Sequence, residues 1–274
     1  MAAEPVLTKA APAVDHAHVV SIANQKGGVG KTTTAVNLAT AMAAAGRQVL
    51  ILDMDPQGNA STGLGIPRNE RGLGTYDVLF NDTQLEDVAI ETAIPNLSIV
   101  TATVDLSGAE IELVTAERRE FRLRDAIRDS RLTYDYVLID CPPALGLLTL
   151  NALVAAHEVL VPLQCEFYAL EGLSHLIRTI ERVKKAFNPT LDIQGVLLTM
   201  FDKRNNLSEM VAADVRSYFG DKVFQTVIPR NVRISEAPSH GKPVLLYDLR
   251  CAGSQAYVDL AREVLKRETK RLIA

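Results

Sequence analysis

A chain of 274 residues with 47% apolar side chains and a net charge of −4 has enough apolar surface for one large α/β core. No apolar run reaches the roughly 18 residues a membrane span needs, and the N-terminus lacks the charged and apolar regions of a secretory signal. Three cysteines (Cys141, Cys165 and Cys251) are odd in number and far apart, which argues against a disulfide frame and for a reducing cytoplasm. The five histidines form no cluster in the sequence, and each reads as a surface or packing residue.

Residues 1–17 hold Pro5, Pro12 and six alanines without periodicity, the pattern of a disordered tail. Residues 18–274 read as a single domain. Val19–Ala23 is a short buried strand. The segment Asn24-Gln25-Lys26-Gly27-Gly28-Val29-Gly30-Lys31-Thr32-Thr33-Thr34 follows it. Its end fits the phosphate-binding loop G-x-x-x-x-G-K-[ST], whose backbone N–H groups cradle phosphates. Lys31 takes the place of the lysine that reaches the β- and γ-phosphates, and Thr32 that of the hydroxyl that holds Mg²⁺. Gln25 stands where the first glycine of the pattern belongs, and an extra lysine, Lys26, precedes Gly27. One loop needs one lysine, so Lys26 points to a nucleotide held by another copy of the chain. Thr33–Ala45 reads as a helix that Gly46 stops. Strand, loop and helix together seat an anion on a helix N-terminus.

The next strand, Gln48–Asp53, runs into Asp53-Met54-Asp55-Pro56-Gln57-Gly58-Asn59. Carboxylates at i and i+2 share a side, so one can orient Mg²⁺-bound water and the other the attacking water. The Pro, Gly and Asn that follow suit a mobile loop that senses the γ-phosphate. Strands are also expected at Leu97–Thr101, Tyr136–Asp140, Glu158–Pro162, Ile193–Thr199 and Val223–Ile228. Asp140 ends one of them, the usual position for a carboxylate that holds Mg²⁺ through water. Helices are clearest at Ala169–Phe187, Ser208–Phe219 and Ser254–Lys270. Most strands are Val/Ile/Leu runs without polar alternation, which signals a sheet buried on both faces. The fold class is α/β: a doubly wound, mostly parallel sheet with helices on both faces.

Charge is unevenly spread. From Pro229 to the end there are nine Lys/Arg against five Asp/Glu, which permits a basic face on an acidic protein. Arg204 lies in the polar stretch Asp202-Lys203-Arg204-Asn205-Asn206, and Arg230 and Arg233 bracket Asn231-Val232. From the residues alone, a solvated surface is the favoured reading of these arginines.

Lys-Gly-Gly-Val-Gly-Lys-Thr-Thr at 26–33, Asp-x-Asp-Pro-Gln-Gly-Asn at 53–59 and Ile-Asp-Cys-Pro-Pro at 139–143 resemble the ParA/Soj chromosome-partitioning ATPases, of the deviant Walker A group. The likeness extends to Thr199–Arg204 and to Ile228–Pro243, and covers residues 18–268. It implies a P-loop ATPase that uses ATP and Mg²⁺ and forms an ATP-dependent sandwich dimer. Lys26 would reach the partner's phosphates, Lys31 would bind phosphate in cis, and Asp55 would position the hydrolytic water. Gly27, Gly28, Val29, Gly30, Thr32 and Thr33 would complete the phosphate cradle. Thr32, Asp53 and Asp140 would serve the metal, and Pro229, Arg230 and Asn231 would line the adenine side. The ATP dimer would bind double-stranded DNA without sequence preference through Arg204 and Arg233, with Lys203 and Lys242. A ParB-type centromere-binding protein would stimulate hydrolysis and release the dimer. The resemblance places such a protein in the cytoplasm, on the nucleoid.

Two other readings share the phosphate loop. A MinD-like membrane-associated positioning ATPase needs an amphipathic C-terminal anchor. Here Tyr257, Leu260, Ala261, Val264 and Leu265 space as a core-facing stripe, which leaves little for a membrane. An iron–sulfur ATPase needs cysteines at a dimer interface, and Cys141 and Cys165 do not match that pattern.

Overall fold

The computed structural model describes residues 17–131, 133–167 and 169–273. Its strands are β1 (His18–Ile22), β2 (Val49–Asp53), β3 (Ile90–Glu91), β4 (Leu97–Val100), β5 (Tyr136–Asp140), β6 (Glu158–Gln164), β7 (Asp192–Phe201) and β8 (Val223–Pro229). They form one sheet in the order β3-β4-β2-β5-β1-β6-β7-β8. Each expected strand is present. The addition is β3, two residues that pair antiparallel with β4 at the sheet edge. The other pairings are parallel.

The helices are α1 (Lys31–Ala44), α2 (Asn59–Gly63), α3 (Thr75–Phe80), α4 (Leu85–Val88), α5 (Leu106–Glu112), α6 (Arg122–Asp129), α7 (Leu147–Ala155), α8 (Ala169–Ala186), α9 (Asn206–Phe219), α10 (Val232–Glu236), α11 (Val244–Tyr247) and α12 (Ala252–Ile273). Two apolar cores lie against the two faces of the sheet. One joins Leu38 and Met42 of α1 and Leu260 and Val264 of α12; the other joins Leu148 and Leu153 of α7 and Leu176 and Ile180 of α8. Strand β5 feeds both by simple alternation. Tyr136 and Leu138 enter the first core, Val137 and Ile139 the second. Both faces are covered, so the central strands β2 and β5 are apolar up to their final aspartates.

Helix α8 starts at Ala169 as expected, whereas α1, α9 and α12 start two residues earlier than expected, the first two for local reasons. Gly30, with φ +92°, turns the chain so that Lys31 already lies in α1. The Asn205 side chain accepts a hydrogen bond from Leu207 N at 3.0 Å and caps α9 earlier than Ser208. Gly46, at φ +85°, follows the end of α1 as expected. In α12, Tyr257, Leu260, Ala261 and Val264 are buried and Leu265 packs beside them. That helix therefore spends its apolar stripe on the core. Among the described residues, no helix is long and apolar enough to cross a membrane.

The expected tail, 1–17, lies outside the described residues except for Ala17, which is buried in the α7/α8 core. Two histidines that look unrelated in sequence meet at the start of the sheet. His18 stacks on His157 at 5.3 Å, and its Nε2 lies 2.8 Å from Glu158 Oε2. His157 Nδ1 accepts a hydrogen bond from Val19 N at 2.9 Å. Parallel strands β1 and β6 make this pairing, and periodicity does not report it.

Candidate functional site

Parallel pairing brings the C-terminal ends of β1, β2 and β5 to one edge. Ile22 and Asp53 each stand opposite Asp140. The loop after β1 is fixed from both sides. Asn24 Nδ2 donates to Pro162 O at 2.7 Å, and Asn24 Oδ1 accepts from Lys26 N at 3.0 Å. Thr199 Oγ1 donates to Val29 O at 2.8 Å. Gly28 and Gly30 hold positive φ angles of 74° and 92°, which a side chain at either position would strain. Their backbone borders a cavity of about 280 Å³, lined also by Lys31, Thr32, Thr33, Asp55 and Pro143.

Lys31 is buried, and its Nζ donates to Lys26 O at 3.1 Å. Burial lowers its pKa, and Asp140 is the main group opposing that shift. The ammonium thus sits in the cavity with little water around it, ready for anionic oxygen. Lys26 does not line the cavity. Its ammonium pairs with Glu166 instead.

The three aspartates have different environments. Asp53 is fully buried, and its Oδ2 accepts from Ser61 N at 2.9 Å and Ser61 Oγ at 2.7 Å. Burial pushes its pKa up to about 6 despite those hydrogen bonds. Asp55 lines the cavity, and its Oδ1 accepts from Gln57 N at 2.9 Å, which shapes the turn into α2. Asp140 is fully buried, and neither carboxylate oxygen has a hydrogen-bond partner. Burial, and then the charge of Asp53, raise its pKa well above the carboxylate range.

Two orphaned buried acceptors are costly unless something fills the place opposite them. The donors here are a hydroxyl and carboxylates, which suit a hard cation such as Mg²⁺. Among the described residues no three His, Cys, Asp or Glu side chains converge on one metal point. Cys141 and Cys165 are buried thiols whose pKa values burial pushes up to about 12 and about 11, so they carry no thiolate chemistry at neutral pH.

Comparison with known proteins agrees with this geometry. The family model described as an AAA domain matches residues 17–193. The chromosome partitioning protein ParA of Caulobacter vibrioides is 64% identical over 92% of this chain and 96% of its own. The sporulation initiation inhibitor protein Soj of Bacillus subtilis is 54% identical over 90% of this chain and 97% of its own. The chain belongs to the ParA/Soj family of chromosome-partitioning ATPases. Cobyrinic acid a,c-diamide synthase from Mycobacterium smegmatis, solved with ADP and magnesium, is 36% identical with a TM-score of 0.81, covering 92% of this chain and 96% of that one. MinD from Pyrococcus horikoshii, complexed with Mg-ADP, is 30% identical with a TM-score of 0.72, covering 90% and 96%. Nucleotide and Mg²⁺ binding therefore run through the relatives of this fold, the P-loop NTPase fold of the deviant Walker A type.

In this ParA/Soj chain the basic residues lie at the same sheet edge. Phe201 of β7 pairs with Pro229 of β8, and Phe201 O accepts from Arg230 N at 3.0 Å. The Asp202–Asn205 turn and the Pro229–Arg233 segment thus leave the sheet side by side. Arg204 is 88% exposed and forks onto Asp202, with Nε–Oδ1 3.0 Å and Nη2–Oδ2 2.9 Å. Arg233 reaches Glu236 at 2.9 Å and Asp248 at 3.5 Å. Lys203 is exposed in the same turn as Arg204. Lys242 instead lines a second cavity of about 270 Å³, next to Thr32, Thr33, Asn59 and Pro238. Pro229, Arg230 and Asn231 line neither cavity, and the Asn231 side chain accepts from Arg233 N at 2.9 Å to cap α10.

Two features of the site escape sequence reasoning. Met200 lines the phosphate cavity with φ +50°, an unfavourable angle for a residue with a side chain. Arg71 ties the segment after Asp55 in place, donating to Thr62 Oγ1 at 2.7 Å, Ile66 O at 3.0 Å and Ala102 O at 3.2 Å. A rare dihedral leaves no mark in composition, and Arg71 sits in a polar stretch that reads as plain loop.

Proposed function

We propose that this chain is an ATP-driven DNA-partitioning switch, cytoplasmic and nucleoid-associated, that works as a dimer. The observation that carries this reading is the division of the two lysines, with Lys31 inside the phosphate cavity and Lys26 outside it. A monomeric ATPase has no use for the second. In this reading the loop N–H groups of residues 27–33 cradle the phosphates, and Lys31 neutralises the β/γ oxygens of its own nucleotide. Lys26 reaches the phosphates of the partner's nucleotide, so the dimer forms only with ATP. Thr32, Asp53 and Asp140 are the residues that would hold Mg²⁺. When bound, the ion shields phosphate charge. Asp55 orients the water that attacks the γ-phosphate. Pro229, Arg230 and Asn231 close the adenine side.

Dimerisation doubles every exposed cation at the β7–β8 edge. Arg204, Arg233 and Lys203 then present a surface to DNA phosphates, which fixes position on the duplex without reading sequence. Lys242 joins that surface only where the nucleotide leaves it free. A ParB-type centromere-binding partner triggers hydrolysis and release. The test is co-sedimentation of two unrelated DNA duplexes with the protein under ATP, ADP and no nucleotide. Retention with ATP alone, equal on both duplexes, is expected. Equal retention in the three states, or preference for one duplex, refutes the reading.

A further inference from the structure

We propose that Glu166 is a positioning residue for Lys26, an inference that rests on the dimer reading above. It holds the Lys26 ammonium away from the chain's own nucleotide and must release it when the dimer forms. Three observations support this. Lys26 Nζ pairs with the Glu166 carboxylate, across 140 positions of sequence. The cavity that Lys31 lines is not lined by Lys26. Side chains of the loop also reach the flanking elements: the Asn24 side chain accepts from Lys26 N and donates to Pro162 O of β6, and Gln25 Nε2 donates to Gly172 O of α8 at 3.4 Å. The loop is thus tied to β6 and α8, the two elements that flank Glu166, which keeps Glu166 in reach of Lys26.

The physical consequence is a choice between two anions. An ammonium free in solution would find the phosphates of its own nucleotide, a few residues away, before those of a partner. Paired with Glu166, it is neutralised and turned outwards. A triphosphate presented by a second copy carries more charge than one carboxylate and can take the ammonium over. Both partners are about half exposed, at 48% and 45% of their side chains, so the pair is weak enough to yield. Gly27 agrees with an approach from outside. A Cβ there would meet only Pro143, at 3.9 Å, so nothing within the chain requires glycine at this position.

The experiment is sedimentation equilibrium of wild type and Glu166→Gln with a non-hydrolysable ATP analogue. An exposed pair is worth up to about five-fold in an equilibrium constant, and a dimer breaks two, so Glu166→Gln should dimerise up to about 25-fold more tightly. The gain should shrink towards 1 M salt, where exposed charges are screened within about 3 Å. An unchanged or weaker dimer overturns the proposal, and so does a gain that salt leaves intact, because that gain would come from packing. A wild type that never dimerises with the analogue defeats the dimer reading itself. A wild type that dimerises, with no gain in the variant, defeats only the role of Glu166.

Discussion

Asp140 and Glu263 are both acidic side chains withdrawn from water, at different ends of the sheet. Asp140 closes β5 beside the phosphate loop, and it has no close hydrogen bond, only the Thr32 hydroxyl nearby to favour its charged form. Glu263 lies near the start of β8 and accepts from Gln225 N at 2.9 Å, Thr226 N at 3.0 Å and Arg267 Nη2 at 2.9 Å. Arg267 in turn covers Phe224 at 4.2 Å and donates to Gln194 O and Val223 O. One end of the molecule keeps polar groups waiting for something the chain does not contain. At the other end, the Glu263 carboxylate and the Arg267 guanidinium are answered within the chain. A buried acceptor without a donor costs stability, whereas a carboxylate met by three donors adds to it.

The sharpest way to break this contrast is to remove a waiting group and look for a chemical loss. Asp55→Ala should keep nucleotide binding and the ATP dimer, yet lower turnover by about 10²–10⁴-fold, the usual reach of a residue that positions or activates a nucleophile. Single-turnover hydrolysis of bound ATP measures it. Turnover at the wild-type rate would move that role to another residue, with Asp53 first in line.

Lys31 and Lys26 divide the same end between them, so their losses should separate. Lys31→Ala should weaken ATP binding by about 10²–10³-fold, because a buried cation facing phosphate has lost its place. Lys26→Ala should leave binding within a few-fold and abolish ATP-dependent dimerisation. Gly27→Val should copy Lys26→Ala, since the monomer has room for the side chain. Calorimetry and light scattering on each variant decide this, and a Lys26→Ala dimer equal to wild type would remove the trans-lysine idea.

Arg204→Glu and Arg233→Glu test the outer rim of that end. Each should abolish DNA retention while ATP binding and dimerisation stay intact, since neither residue lines the phosphate cavity. Every arginine–phosphate ion pair removed should lower the log–log salt slope by about 0.9, and a dimer gives up two per substitution. DNA affinity against salt, with ATP, is the measurement. Unchanged affinity in both variants would place the DNA surface elsewhere.

How far was this contrast legible in the sequence? The phosphate loop, Asp53, Asp55 and Asp140 were legible because each sits at the end of an apolar strand, where chain order alone predicts position. The seven long strands were legible for the same reason. The edge strand β3 was not, since Ile90–Glu91 is too short to carry a period. Pairings between distant segments were also out of reach: Lys26 with Glu166, His18 with His157, and Glu263 with the start of β8. Each joins residues that only the order β5-β1-β6-β7-β8, or a helix packed across it, brings together. Strand ends are readable from chain order, and the fold decides which distant groups answer one another.

Asp140→Asn turns that into a trade. Removing a buried charge that faces Asp53 across the β2–β5 ladder should stabilise the nucleotide-free protein by about 0.5–2 kcal/mol, while Mg²⁺-dependent ATP binding falls. Chemical denaturation without nucleotide, beside ATP titrations with and without Mg²⁺, checks both halves. A variant that loses stability would show that the Asp140 carboxylate is held by the fold and not in reserve.

Glu263→Gln is the smallest effect and the mirror of that trade. Burial alone would raise the Glu263 pKa, but hydrogen bonds from Thr226 and Gln225 N–H and from Arg267 outweigh it and hold the carboxyl below its usual range. A depressed folded-state pKa means stability that is present above the unfolded value, about pH 4.3, and lost as pH falls through the folded one. At neutral pH the variant should therefore be less stable by about 1–2 kcal/mol, since an amide accepts these bonds less strongly than a carboxylate. The difference should close below about pH 4, where the wild-type carboxyl takes up its proton. ATP turnover should not change, because the network lies away from the phosphate cavity. Urea denaturation of both proteins from pH 3 to 7 measures the gap. A gap of constant size would mean that packing around Arg267 and Phe224, and not the charge of Glu263, holds α12 against β8.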